Sequence, residues 1–358
     1  MDKEMIYAPM IIPTLCRYNH FRRLIESLKK NSWAKYTEIY VGLDYPAKDE
    51  HWKGYKQICE YLSGDFSEFK SFYVNKREEN YGVSNNTRAL IYEIEKKHDT
   101  YIYSDDDLEY SPNFLEYMDK ALIEFRDRDD IIAVTGYSYP LNWKLAQKDN
   151  AFLCNFICPS WGTGFWVKKI KRIRKKLENG ILRDSVYRYI NNRNIKNLTD
   201  RRLMDYYFGV LDEHNTLLYC ASDVALSIFL GVENKYIIMP RVSKCRNHGF
   251  DGTGIYCQNV SSEKNHNKSR GYLFHRQEID TNKTFPEIKL HNITSKANKR
   301  KMNRFDPANP KIILEIKVKI QLCKLFGLEL FGESIPNILK AKYPFLSKIK
   351  HLFNKIFT

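Results

Sequence analysis

Three consecutive aspartates, Asp105 to Asp107, directly follow a short β-prone run and precede a helix-like run. Neighbouring carboxylates repel one another, and a buried charge without a partner is costly. A hard divalent cation, Mn²⁺ or Mg²⁺, would supply that partner, because such ions bind one or two carboxylates together with substrate phosphates. The alternative is a solvated turn at a helix N-terminus, where acidic residues are favoured. The place of the triplet after a strand of an α/β pattern favours the metal site.

Other polar residues also follow predicted strands, namely Arg17, Asp44 and Asn80. In parallel α/β sheets, ligands bind beyond the carboxyl ends of the strands. We therefore expect these residues and the triplet to line one crevice. The planar guanidinium of Arg17 suits a diphosphate, and a surface salt bridge is the alternative for this residue.

The elements that must position these residues follow from the hydrophobic pattern. Apolar runs predict five strands, at residues 5–14, 38–46, 69–77, 100–107 and 131–139. Helical periodicity predicts four helices between them, at residues 20–31, 51–62, 82–97 and 111–126. Strands that alternate with helices of this length predict an α/β fold with a mostly parallel sheet.

Length and composition limit the class of protein. A chain of 358 residues can form one large domain with an appendage, or two domains. Its net charge of +15 favours polyanionic partners, and a general compositional bias toward lysine explains that charge equally well. Its eight cysteines form no Cys-x-x-Cys pair, which suits a reducing cytoplasm. We expect a cytoplasmic protein, because the N-terminus lacks a signal-peptide pattern and no apolar run reaches the ~18 residues of a membrane span.

The segment "DDDLEYSPNFLEYM", which begins with the triplet, resembles the metal-binding segment of the nucleotide-sugar glycosyltransferases of GT-A fold. The resemblance is to the N-acetylglucosaminyltransferases that start complex N-glycans and to bacterial family 2 transferases. Further segments resemble segments of these enzymes and occur in the same order along the chain: "PTLCRYNHFRRLIESL", "VGLD", "VSNNTRALIYEIEK", "PSWGTGFWVKK" and "IIMPRVSKCRNHGFDGTG". The resemblance implies a Rossmann-like, mostly parallel sheet flanked by helices, and a metal-dependent sugar transfer.

The resemblance also implies roles for the polar residues of the crevice. Asp107 corresponds to the direct metal ligand. Asp105 and Asp106 flank it toward the ribose and the nucleotide, with Asp105 as a second metal contact. Arg17 corresponds to an arginine near the nucleotide phosphates or base. Asp44 corresponds to a carboxylate that accepts a hydrogen bond from the nucleobase ring N–H, and a strand-end turn is the alternative for it.

A base is needed as well, because a sugar hydroxyl has a very high pKa and its attack requires a carboxylate within hydrogen-bond reach. In the resembling enzymes this carboxylate precedes a Pro-centred strand, and Asp223 in "ASDVALSIF" holds that position. The tryptophans and the second acidic residue that flank it there are absent from this sequence. An N-cap of the following helix is the alternative for Asp223. Asp205, Asp212 and Glu213 are further candidates for the base.

Two glycine-rich segments are expected on the acceptor side of the site and in a lid. The first, "PSWGTGFWV", combines two tryptophans with two glycines: Trp161, Gly162, Gly164 and Trp166. Glycines let a backbone approach a ligand and aromatic faces stack on sugar rings, although an aromatic core beside a turn has the same composition. The second, "RNHGFDGTG", supplies Asp251 and His248, which is either a metal or phosphate contact or an ordinary loop histidine. Its glycines suggest a segment that folds over bound nucleotide.

The expected organisation is a catalytic domain at 1–260, a polar loop or linker at 261–309 and a basic helical extension at 310–358. The extension mixes Leu, Ile and Phe with many lysines, a composition that fits helices lying on an anionic membrane. The alternative is a helix packed on the catalytic domain. Membrane attachment would suit a cytoplasmic enzyme, peripheral on the inner face of the membrane, whose acceptor is lipid-linked.

The expected function is transfer of a sugar from a nucleotide-diphosphate donor, a UDP-sugar, to a hydroxyl of a glycan or lipid-linked acceptor in surface polysaccharide synthesis. Mn²⁺ or Mg²⁺ is the expected cofactor, and the resemblance suggests inversion by direct displacement. A sugar nucleotidyltransferase is one alternative, but "PTLCRYNHF" lacks the glycine-rich loop of such enzymes. A basic nucleic-acid-binding protein is the other, and an acidic triplet in a strand-end crevice argues against nucleic acid as a partner.

Overall fold

The computed structural model describes residues 5, 7–178, 223–254, 277–292 and 296–305. Eleven strands in this part of the chain follow in order as β1 (Met10–Thr14), β2 (Glu38–Leu43), β3 (Ser71–Lys76), β4 (Thr100–Tyr103), β5 (Leu108–Tyr110), β6 (Ile131–Thr135), β7 (Ala151–Cys154), β8 (Thr163–Trp166), β9 (Tyr236–Pro240), β10 (Cys245–Asn247) and β11 (Leu290–His291). The described α-helices are α1 (Tyr18–Lys29), α2 (His51–Tyr61), α3 (Gly82–Ile94), α4 (Phe114–Glu124), α5 (Val167–Glu178), α6 (Asp223–Val232) and α7 (Lys296–Phe305).

Nine of these strands form one sheet in the order β11-β7-β9-β6-β8-β4-β1-β2-β3. The strands β1 to β4 are parallel to one another, and β6 is parallel to β9. By contrast, β8 is antiparallel to both of its neighbours, β4 and β6, and β7 is antiparallel to β9. Helix α3 packs on β1 and β2, and α4 packs on β6 and β8. The predicted α/β fold with a mostly parallel sheet flanked by helices is therefore confirmed.

The first strand and helix show how the core fixes the candidate site. Strand β1 is buried along its whole length, as expected of a parallel strand covered on both faces. Helix α1 packs on the core through a stripe of apolar residues at helical spacing: Phe21, Leu24, Ile25 and Leu28. Both elements are thereby held in place, and so is the turn between them, which carries Arg17 at the carboxyl edge of the sheet.

Helix α2 packs very closely on this turn through Gly54. A Cβ atom built on Gly54 would lie 1.8 Å from the carbonyl oxygen of Cys16. We expect Gly54→Ala to destabilise the protein by about 1–3 kcal/mol, because α2 must move away from the turn. The melting temperature should fall by about 2–4 °C for each kcal/mol.

A thermal melt checks this expectation, and Lys56→Ala is the matched control because Lys56 is exposed on the same helix. A Gly54→Ala protein that melts at the wild-type temperature would show that the contact with Cys16 relaxes at no cost.

Asp119 is a fully buried acid in α4. Its Oδ1 accepts a hydrogen bond of 2.9 Å from the backbone N–H of Ala8, and its Oδ2 has no hydrogen-bond partner among the described residues. Desolvation raises the pKa of Asp119 well above its ordinary value, against the opposing effect of the Ala8 hydrogen bond. The folded protein therefore holds a neutral carboxyl group at a pH where the unfolded chain carries a carboxylate.

We expect Asp119→Asn to stabilise the protein increasingly as the pH rises above about 4, the ordinary pKa of an aspartate. Below that pH both states of the wild type are protonated. Above it only the unfolded state ionises, and the wild type loses about 1.4 kcal/mol per pH unit until the folded-state pKa is reached. Melting temperatures measured from pH 4.5 to 8 check this, with Asp127→Asn as an exposed control. If the melting temperatures of Asp119→Asn and wild type differ by the same amount at every pH in that range, this expectation is wrong.

The segment predicted as a polar linker packs on the sheet where the structure describes it, at residues 277–292 and 296–305. Strand β11 pairs in parallel with β7, Phe285 is 4% exposed, and Met302 of α7 is fully buried. Lys244, itself 2% exposed, pairs with Asp280 of this segment. The described part of this segment is therefore held against the sheet at a few points, while most of its polar side chains are exposed.

No helix in the described part of the chain is long and apolar enough to cross a membrane. The predicted basic extension at 310–358 lies outside the described residues, as do the alternative bases Asp205, Asp212 and Glu213.

Candidate active site

The carboxyl edge of the parallel strands brings several predicted polar residues together. The acidic triplet follows β4, and Arg17 follows β1, the neighbour of β4 in the sheet. Asp44 follows β2 on the other side of β1, and its backbone N–H donates to the carbonyl of Thr14 over 2.9 Å. Parallel pairing therefore gathers an arginine and four carboxylates at one edge of the sheet.

Arg17 is the positive partner of the triplet in this structure. Its guanidinium forms ion pairs with Asp106 and with Asp107, the latter over 2.9 Å between Nη1 and Oδ2. Thr14 donates its hydroxyl to Oδ2 of Asp106 over 2.9 Å. Burial by itself would lower the pKa of Arg17, but the charges of Asp106 and Asp107 outweigh burial and raise it. The guanidinium is therefore fixed as a cation among the carboxylates.

Asp105 has a different environment within the triplet. Its Oδ1 accepts a hydrogen bond from the hydroxyl of Tyr103. Desolvation and the nearby charge of Asp107 raise the pKa of Asp105 to about 7. Desolvation also raises the pKa of Asp107, although the charge of Arg17 opposes it. One guanidinium thus leaves an excess of negative charge in a crowded site, and a further cation would relieve that excess.

Asp107 also has an oxygen available to a metal ion. Its Oδ1 is buried and has no hydrogen-bond partner among the described residues. Across the same part of the chain, no three His, Cys, Asp or Glu side chains are grouped to hold an ion. A divalent ion held by one or two carboxylates and completed by substrate phosphates needs no such group. The residues present therefore fit a metal that arrives with a phosphorylated substrate, and Asp107 and Asp105 are the side chains that would hold it.

The short antiparallel pair of β5 with β10 brings a glycine-rich loop onto the triplet. The backbone N–H of His248, just after β10, donates to the carbonyl of Asp107 over 2.9 Å. A Cβ atom on Gly249 would lie 2.0 Å from Oδ2 of Asp107, so only glycine allows the loop to pass this closely. The ring of His248 lies 2.7 Å from Oε2 of Glu109, and this hydrogen bond lowers the pKa of Glu109. The imidazole of His248 is thus paired with β5.

His20 of α1 contacts the same glycine-rich loop, a role that the sequence pattern did not indicate. Its Nε2 lies 2.8 Å from Oδ2 of Asp251. Burial opposes ionisation of Asp251, but hydrogen bonds from Thr253 and His20 lower its pKa. The sequence feature that could have indicated a role for His20 is its position, three residues after the strand-end Arg17 and therefore nearly one helical turn away. The pairing itself spans more than two hundred residues of sequence, which spacing along a chain cannot show.

Asp44 is 3% exposed and its two carboxylate oxygens differ in their contacts. Oδ1 accepts hydrogen bonds from the backbone N–H groups of Tyr45 (3.0 Å) and Tyr81 (2.8 Å). Oδ2 has a longer contact of 3.4 Å with Nδ2 of Asn80. Asp44 and Asn80 therefore meet, as expected of residues in one crevice, and Oδ2 retains capacity to accept another donor.

Trp161 lies beside the glycine-rich loop. Its ring packs edge-on against Tyr137, with centroids 4.6 Å apart, and against Phe250, with centroids 6.0 Å apart. Its carbonyl accepts a contact of 3.5 Å from the thiol of Cys245 in β10. The following Gly162 has a φ of +60°, and a Cβ atom there would lie 2.8 Å from the ring of Tyr110. Trp161 and Gly162, the first part of the segment predicted to contact the acceptor, therefore lie at the carboxyl edge of the sheet, where the triplet lies.

Trp166 and Gly164 do not lie in the site, which corrects the expectation for both residues. Strand β8 runs antiparallel to β4, so Trp166 pairs with Thr100 at the end of β4 that is remote from the triplet. The indole of Trp166 is 3% exposed and donates to the carbonyl of Leu122 over 2.9 Å. A Cβ atom on Gly164 would lie 2.8 Å from Cε of Met118, so this glycine allows α4 to pack on β8.

Asp223 is the first residue of α6, the helix that leads into β9. Because β9 is parallel to β6, the start of this helix lies toward the carboxyl edge of the sheet. The hydroxyl of Ser227 donates to the carbonyl of Asp223 and accepts from the N–H of Cys158 over 2.9 Å. The pKa of Cys158 is raised by burial and by the charge of Asp223. The structure therefore places Asp223 beside the segment that leads to Trp161.

Residues 10–197, more than half of the chain, match the family described as Glycosyl transferase family 2. The chain belongs to this family. It is a glycosyltransferase, and its α/β sheet is that of the GT-A fold. The resemblance stated from the sequence is thereby confirmed at the level of family, fold and reaction class.

Solved structures similar to this chain include S. aureus TarS, with a TM-score of 0.33 at 15% identity over 47% of this chain and 29% of that one. A second is S. aureus TarS 1-349, with a TM-score of 0.32 at 16% identity over 47% and 50% of the two chains. A third is the mannosyltransferase PcManGT from Pyrobaculum calidifontis in complex with GDP-Man and Mn²⁺, with a TM-score of 0.34 at 12% identity over 46% of each chain. Each match spans half or less of the solved chain, and no curated protein sequence matches this one.

Proposed function

We propose that this glycosyltransferase takes its sugar from a nucleotide-diphosphate donor, a UDP-sugar, and depends on Mn²⁺ or Mg²⁺. The observation that carries the proposal is the buried Oδ1 of Asp107, which has no hydrogen-bond partner among the described residues and lies beside the guanidinium of Arg17. A carboxylate oxygen suits the metal and a planar guanidinium suits the diphosphate, so the two groups match the two charged parts of such a donor.

In this proposal the nucleotide lies along the carboxyl edge of β1, β2 and β4. Oδ2 of Asp44 would accept the ring N–H of uracil, since its contact with Asn80 in the described part of the chain is long. Arg17 would bind the diphosphate, and Asp105 and Asp107 would hold the metal. When bound, the metal neutralises charge on the leaving diphosphate.

The acceptor is proposed to lie on the side of Trp161 and Gly162, because tryptophan rings stack on sugar rings. Asp223 would accept the proton of the attacking hydroxyl, and transfer would invert the anomeric carbon by direct displacement. A glycan or lipid-linked acceptor in surface polysaccharide synthesis is proposed, with residues 310–358 attaching the enzyme to the inner face of an anionic membrane.

A donor screen tests this function. Sugar nucleotides of UDP, GDP and CMP are incubated with candidate glycan and lipid-linked acceptors, with Mn²⁺, Mg²⁺ or excess EDTA, and release of the nucleotide is measured. Release of UDP that requires both a metal and an acceptor is expected. Release of GDP or CMP alone would overturn the choice of donor. Full turnover in EDTA would overturn the metal, and formation of pyrophosphate from UTP and a sugar phosphate would indicate the nucleotidyltransferase alternative.

A further inference from the structure

Arg17 contacts one of the two carboxylates that are proposed to hold the metal, that of Asp107. Its guanidinium touches both Asp106 and Asp107, and its side chain is 21% exposed. It uses Oδ2 of Asp107, whereas Oδ1 has no hydrogen-bond partner in the part of the chain that the structure describes. A metal on Oδ1 would therefore share one buried carboxylate with a guanidinium, and two cations on the same carboxylate repel each other strongly at low dielectric.

The same guanidinium has an alternative partner once a donor is present. Its fork of N–H groups matches a phosphate as well as a carboxylate. Arg17 lies at the N-terminal end of α1, where backbone N–H groups also favour an anion. A diphosphate at this position would offer Arg17 new acceptors and release Oδ2 of Asp107.

We propose that Arg17 is a counter-ion that neutralises the triplet in the nucleotide-free enzyme and moves to the diphosphate when the donor binds. The metal site then becomes fully available only together with the nucleotide. Arg17 thereby couples the two binding events and prevents a bare metal ion from occupying the triplet. This inference rests on the proposed function, since it requires a diphosphate donor and a metal.

Direct Mn²⁺ binding tests the coupling without any measurement of turnover. The electron paramagnetic resonance signal of free Mn²⁺ is titrated with the full chain, alone and with saturating UDP or GDP. The variants are Arg17→Gln, which removes the charge, and Arg17→Lys, which keeps it. The matched control is Arg22→Gln, because Arg22 is exposed on the same helix.

For wild type we expect weak Mn²⁺ binding alone and binding tighter by about tenfold or more with the nucleoside diphosphate, within the range usual for coupled sites. Arg17→Gln should bind Mn²⁺ alone about tenfold more tightly than wild type and gain less from the nucleotide. Arg17→Lys and Arg22→Gln should resemble wild type. Equal or weaker binding of Mn²⁺ alone by a folded Arg17→Gln protein would overturn the proposal.

The wild type alone keeps the test decisive if Arg17→Gln fails to fold. Wild-type protein that binds Mn²⁺ equally well with and without the diphosphate contradicts the coupling, whatever the variant does. If wild type binds no Mn²⁺ even with UDP or GDP, the metal in the proposed function fails and this inference fails with it. If wild type shows coupling that a folded Arg17→Gln protein retains, only the role of Arg17 fails.

Discussion

Replacing Asp107 with asparagine is expected to abolish sugar transfer and to leave the fold intact. Asparagine keeps the shape of the side chain but removes the negative charge that the metal requires. Charge stabilisation by a metal is worth several kcal/mol, so kcat/KM should fall by at least about 10³-fold. Release of nucleotide at saturating Mn²⁺ measures the effect.

The pKa of Asp107 indicates what should happen to the fold. Burial raises this pKa, which means that the folded state favours a neutral group at this position. Asp107→Asn should therefore melt at or above the wild-type temperature at neutral pH. Asp129→Asn is the control, because that side chain is 80% exposed at the other edge of the sheet. Wild-type turnover by Asp107→Asn would mean that Arg17 alone neutralises the site.

The sequence predicted the scaffold of the site well because the signals for it are local. The apolar runs gave β1 to β4 and β6, and parallel pairing of those strands then places Arg17, Asp44 and the triplet at one edge. Alternation of strands and helices determines that edge without knowledge of any tertiary contact. The resemblance agreed with the same order of segments, and the family match supports it.

The partners of these residues were harder to predict because they depend on distant parts of the chain. Arg17 reaches Asp106 across 89 positions, and β10 reaches β5 across more than a hundred. Three-residue strands such as β5 and β10 carry too little hydrophobic pattern to reveal their pairing. The contact of His248 with Glu109 follows entirely from that pairing.

Trp166 shows a second limit, the direction of a strand. Trp161 and Trp166 are five residues apart, and both looked suitable for binding a sugar. Because β8 is inserted antiparallel between β4 and β6, the chain runs from the triplet's edge of the sheet at Trp161 toward the opposite edge at Trp166. Hydrophobic periodicity is the same for both directions, so only the assembled sheet shows that Trp166 lies in the core, remote from the triplet.

Asp223→Asn is expected to lower kcat by about 10²–10⁴-fold, the usual contribution of a general base, and to leave donor binding unchanged. A base acts on the attacking hydroxyl in the transition state, so its loss affects turnover more than the ground-state affinity. Single-turnover transfer, measured beside equilibrium binding of the nucleotide, separates the two effects.

The choice of asparagine distinguishes the base from the alternative role of Asp223 as an N-cap. Asparagine caps a helix about as well as aspartate, whereas alanine does not. If Asp223 is the base, Asp223→Asn and Asp223→Ala should be equally inactive. If Asp223 is only a cap, the asparagine variant should turn over like wild type, and the alanine variant should lose about 1 kcal/mol of stability. Glu233→Gln, just beyond the other end of α6, is the control, because Glu233 pairs with Lys176 far from the start of the helix. Equal turnover by Asp223→Asn and this control would show that another carboxylate acts as the base.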